Sequence, residues 1–162
     1  MVNHKRMHTG KGRGNQYIKL LVMTVLSFMA MYVLMYAMVN TFANVFSNVN
    51  QFYMAGLMTM PMIIIELSLM GAMYMNKKLN VLLIVGSLIA LIAFFVCIRQ
   101  QTAVSDTQFL ESMIPHHGAA ILMCKEASIH DPQVEELCRS IIKNQQSEID
   151  LMKAKLSELE KN

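Results

Sequence analysis

Across 162 residues, hydrophobic types make up 54% and charged types 15%, against about 45–50% and about 25% in an ordinary soluble domain. With 3 Cys, no Trp and 17 Met, the chain is neither a disulfide-dense secreted module nor a disordered or nucleic-acid-binding one, and it reads as a small integral membrane protein. The net charge of +3 is unevenly spread: residues 1–99 hold 8 Lys/Arg against the single acid Glu66 (+7), and residues 100–162 hold 6 against 10 Asp/Glu (−4), so the first part suits an anionic lipid surface and the second suits water.

Residues 1–17 form a basic tail with Lys5, Arg6, Lys11 and Arg13. His4 and His8 have the types to bind a metal, but a disordered tail is the simpler reading. Three apolar runs follow, Leu20–Val39, Tyr53–Met75 (interrupted only by Glu66) and Leu79–Ile98. Each has the roughly 20 residues that a helix needs to cross a hydrocarbon core about 30 Å thick. The first run is longer than a signal-peptide core and is read as a retained helix. Residues 18–99 are thus expected to be a three-helix transmembrane region.

The loop Asn40–Phe52 carries no Lys or Arg, whereas the tail and the second loop (Lys77, Lys78) are basic. Positive-inside counting places the tail and second loop in the cytoplasm and the C-terminal part outside it, in the periplasm of a two-membrane bacterium. Helical spacing puts Met31, Met35 and Met38 on one face, and Met58, Met62, Glu66, Met70 and Met73 on another. Thioethers suit Cu(I), and a carboxylate inside a membrane is a functional candidate. Adaptable packing explains the Met stripes equally well, and Glu66 can be protonated or paired with a neighbouring Asn.

Residues 105–160 are expected to form an exported helical hairpin. Ser105 or Asp106 can cap a helix running to about Ile129, which Pro115 should kink; Asp131-Pro132 then caps a second helix running to about Glu160. Val134, Leu137, Cys138, Ile141, Ile142, Ile149, Met152, Leu156 and Leu159 keep a helical period on it. Two helices enclose little core, so two hairpins packed as a four-helix bundle, a homodimer or higher oligomer, are expected.

With the turn centred on Asp131, Cys124 faces Cys138, His117 faces Gln145 and Met113 faces Ile149. The cysteines can then form a bridge, serve as small buried apolar groups or offer copper thiolates. Met113, His116, His117, Met123, Glu148 and Met152 form the candidate metal site. Thioether plus imidazole is a copper palette, for Cu(I) and Cu(II). A di-iron centre would need more carboxylates. No catalytic constellation is visible, so the chain is not expected to be an enzyme.

These residues carry a resemblance. Phe109-Leu110-x-x-Met113-Ile114-Pro115-His116-His117-x-x-Ala120, then Ala127, then Ile141-Ile142-x-x-Gln145-x-x-Glu148-Ile149-x-x-Met152 is similar to the bacterial family called domain of unknown function 305, with CopM-like periplasmic copper-binding relatives. The resemblance implies a ferritin-like helical bundle, here a half-bundle, and copper binding on Met113, His116, His117, Met123 and Met152.

The whole chain is therefore expected to be all-α: three transmembrane helices and a hairpin, anchored in a bacterial inner membrane. Its expected role is copper sequestration, resistance or transfer, with the lipid bilayer, a second copy and a copper-handling protein as partners, and no nucleic acid. Two other readings stay open. One is an envelope interaction module without metal; the other is a membrane metal-transport component using the Met stripes and Glu66.

Overall fold

Five helices and no strands make up the described part of the chain, residues 11–161 in a computed structural model, with side chains described from residue 16. They are α1 (Lys11–Leu34), α2 (Val49–Leu69), α3 (Lys77–Gln100), α4 (Asp106–Glu126) and α5 (Pro132–Leu159). His4 and His8 lie outside the described residues. Three segments are long and apolar enough to cross a membrane: Gln16–Met38 with 23 residues, Val49–Leu69 with 21 and Lys77–Gln100 with 24. At about 1.5 Å per residue, each reaches beyond the roughly 30 Å of a hydrocarbon core.

Two of these helices differ from expectation at their ends. The first begins at Lys11, well before Leu20, and after Leu34 it tightens into a 3-10 turn, Met35–Met38. The second stops at Leu69, short of Met75. Hydrogen bonding explains that stop. Tyr74 folds back so that its hydroxyl donates to Glu66 Oε1 at 3.0 Å, and its carbonyl accepts from Asn80 Nδ2 at 2.8 Å. Glu66 is thus partnered by a tyrosine rather than by an Asn. Burial, and then the Glu66 carboxylate, push the Tyr74 phenol up.

The chain divides into two units. The first holds the described residues up to Tyr32 together with Tyr53–Gln100. Its core is Leu20, Leu67 and Tyr74, packed by Tyr17, Met23, Ile63, Leu83 and Ile84. The Tyr17 hydroxyl donates to Asn80 Oδ1 at 2.7 Å, tying α1 to α3. Gly56 lies so near Phe94 that a Cβ there would sit 2.5 Å from the ring, so any larger residue would make that ring move. Met58, Met70 and Met73 are exposed, whereas the Met31 sulfur accepts from the Thr59 hydroxyl at 3.7 Å.

The second unit holds Val33–Phe52 and the described residues from Gln101 onward. Ser105 caps α4, its Oγ accepting from Gln108 N at 3.3 Å, and α4 runs unbroken through Pro115. It ends at Glu126, before Ile129, with the Ala127 N–H donating to Met123 O. Asp131 caps α5 by accepting from Gln133 N at 2.9 Å and Val134 N at 3.0 Å, and Pro132 sits where its missing N–H costs nothing.

Between the two helices, Ile114 and Ile121 of α4 meet Ile149 and Leu156 of α5, with Leu110, Ile142 and Met152 alongside. The seven-residue spacing on both helices is that of a coiled-coil seam. Near the turn, Cys124 and Cys138 are bridged, with Cα atoms 5.2 Å apart, and Cys97 is free. Closing a loop of this size removes roughly 3 kcal/mol of chain entropy from the unfolded state.

The loop between α1 and α2 covers part of the hairpin's apolar seam. Phe46 packs against the isoleucine core. Tyr36 donates its hydroxyl proton to Phe46 O at 2.6 Å, and Val49 N donates to Gln108 Oε1 at 2.7 Å.

Candidate metal centre

Helix α4 places its two adjacent histidines in opposite environments, because successive residues diverge by about 100° around a helix. His117 is buried and turns to α5, while His116 is exposed. Their ring centroids are 6.1 Å apart.

Both nitrogens of the His117 ring are engaged. Nδ1 lies 2.8 Å from Met113 O, and Nε2 lies 2.7 Å from Glu148 Oε2. A backbone carbonyl only accepts, so Nδ1 carries a hydrogen and donates it. That leaves Nε2 as the nitrogen whose lone pair is available in the neutral ring. It lies against a carboxylate oxygen of Glu148. Water reaches the pair from the α5 side: the His117 side chain is 10% exposed and that of Glu148 is 54% exposed.

A symmetric turn pairs His117 with Gln145, yet the structure pairs it with Glu148, one helical turn further on. Side chains lean toward the N-terminus of their own helix. In an antiparallel pair, the tip of His117 leans toward the open end of the hairpin while Glu148 leans back toward the turn, and the two meet between their backbone levels.

The other expected ligands are spread. Met113 is half-buried one turn before His117, and its carbonyl orients the imidazole. Met152 is half-buried against the isoleucine core, one turn beyond Glu148. Met123 is exposed, two turns from His116 on the same face. The structure therefore joins His117 to Glu148 and to the backbone of Met113, while His116 and Met123 lie on an exposed side. Cys124 and Cys138 are consumed by their bridge. Among the described residues, no three His, Cys, Asp or Glu side chains converge on one point.

Sequence reasoning missed the loop over this site. A Cβ on Gly118 would lie 2.7 Å from Asn40 Oδ1 and 3.4 Å from a Val39 methyl. A glycine in mid-helix, beside the histidines, was the signal of that close approach. Gln108 binds the loop from the other side and also donates from Nε2 to Glu111 Oε2 at 2.6 Å. Burial, and then the negative charge of Glu160, push the Glu111 carboxyl up.

Residues 68–156 match the profile of the family described as Domain of unknown function (DUF305). An "Uncharacterized protein L153" of Acanthamoeba polyphaga mimivirus is 35% identical over 142 residues, covering 86% of this chain and 91% of that protein. Coverage of that extent takes in apolar helices as well as the hairpin. No solved structure matches the chain significantly.

Proposed function

We propose that this chain, which belongs to the DUF305 family, is a membrane-anchored protein that binds copper on its helical hairpin and holds it for sequestration or transfer to a partner protein. One observation carries the reading. His117 gives its Nδ1 hydrogen to a backbone carbonyl and aims Nε2 at an accessible carboxylate. Metal-binding imidazoles are oriented in this way, with the second nitrogen held by a backbone or carboxylate acceptor.

The donor chemistry fits a soft cation. Nε2 of His117 and the Glu148 carboxylate, 2.7 Å apart, would part to take a cation between them. Met113 is one turn away on α4, and Met152 one turn away on α5, both with half-buried thioethers. Copper in either oxidation state accepts imidazole, and Cu(I) accepts thioether. His116 and Met123 offer a second, exposed pair through which the ion can be passed on. The exposed Val134, Leu137 and Leu151 on α5 favour a second reading, assembly of copies through this helix.

The hairpin side of the membrane is proposed to be the non-cytoplasmic one, because the loops carrying Lys and Arg lie on the other. The Cys124–Cys138 bridge suits that side, since disulfides persist in oxidising compartments. A reporter active only outside the cytoplasm should be active when fused after Asn162 and silent when fused after Lys78. The reverse pattern would place the hairpin in a reducing compartment and reject this orientation. Copper binding is tested by titrating the full chain in detergent against a chromogenic Cu(I) chelator. Withdrawal of copper from the chelator is expected, and none would reject the proposal.

A further inference from the structure

Phe42, in the loop between the first two apolar helices, is 96% exposed. No other residue from Val39 to Phe52 compensates with a charge, since the whole segment lacks Asp, Glu, Lys and Arg. We propose that this loop is seated in the lipid headgroup region through Phe42. The proposal rests on reading α1 and α2 as membrane spans and is independent of copper.

Tether length selects lipid as the occupant. Phe42 lies four residues after the segment Gln16–Met38 and seven before Val49–Leu69. An extended residue spans at most about 3.5 Å, so Phe42 stays within roughly 14 Å of the hydrocarbon edge even if the chain were straight. It is not straight. Val39 N donates to Tyr36 O at 3.0 Å, and Val45 N donates to Phe42 O at 3.1 Å, so the chain doubles back. The headgroup region is about 5–7 Å deep on each side, and apolar side chains without nearby charge settle at that boundary.

The loop is also prepared for a less polar setting, where unpaired backbone and amide groups are costly. Asn44 N donates to Thr41 O at 3.0 Å, Asn44 Nδ2 to Asn40 Oδ1 at 2.7 Å, and Asn48 Nδ2 to Phe46 O at 3.1 Å. Phe46 packs on the hairpin core while Phe42 stands out from the unit. Between them, Asn40 rests on Gly118, the residue after His117.

The chain has no Trp, so Phe42→Trp introduces a single tryptophan, excited selectively beyond the tyrosine band. The full-length variant would be reconstituted into phosphatidylcholine vesicles, with flotation confirming insertion and circular dichroism confirming unchanged helix content. Expected is short-wavelength emission, lost to lipid nitroxides attached near the headgroup more than to nitroxides deep in the acyl chain, and little affected by added iodide. Water-like emission quenched by iodide would overturn the proposal. So would short-wavelength emission untouched by lipid nitroxides, which would mean that protein, such as a second copy, covers Phe42. If Phe42→Trp alters helix content, Thr41→Trp in the same loop is read by the same criteria. Failure of wild type to float would instead reject the membrane spans themselves.

Discussion

Replacing His116 and His117 together by Ala is expected to lower Cu(I) affinity by more than about 100-fold, the upper range for loss of a residue that only orients a ligand. Replacing His4 and His8 should change it little. Of the single variants, His117→Ala should carry most of the loss, because His117 is the imidazole held between the two helices. The fold should survive, since the carboxylate left behind on Glu148 is half in water. Met113→Leu nearly conserves volume while removing a soft donor, so it should weaken Cu(I) more than Cu(II). Competition with a chromogenic chelator reads all of these. Equal affinity for wild type and the double-His variant would reject the assigned ligands.

Ile149→Ala should unfold much of the hairpin's margin of stability. Ile149 has no exposed surface and packs with Ile114, Ile121 and Leu156 at the centre of the seam. Truncating such a side chain loses its transfer free energy and leaves a cavity, at a cost of about 2–5 kcal/mol, out of a typical total of about 5–15 kcal/mol. Leu151, two residues along the same helix, is 71% exposed, and Leu151→Ala should stay within about 0.5 kcal/mol of wild type. Thermal melting of the helical signal in micelles under non-reducing conditions compares them. Similar losses for both would mean that the α4–α5 seam is not the core.

What could be read from the sequence follows from how local each cause is. The three apolar segments are set by length and absence of charge, which need no partner to be recognised. Ser105 and Asp131-Pro132 act within one helical turn, so both helix starts of the hairpin were legible, and with the turn located, Cys124 and Cys138 fell opposite one another. Glu148 was legible as a member of the His117 cluster, but counting backbone levels put Gln145 directly opposite His117 because it ignores the lean of side chains. The end of α2 at Leu69 depends on Asn80 and Glu66 reaching Tyr74 from different helices. Least legible was the packing of Phe46 and Asn40 on α4. Residues far apart in sequence make that contact, and the loop has no periodicity to announce it. Gly118 was its one trace.

The claim that copper is held by imidazole and thioether between α4 and α5 is tested most directly by X-ray absorption on the full chain, loaded with Cu(I) in micelles with its disulfide intact. The result expected is a first shell containing both nitrogen and sulfur scatterers, with the nitrogen signal lost from His116→Ala/His117→Ala. A shell of oxygen alone, or copper that washes away from the wild-type chain, would contradict it.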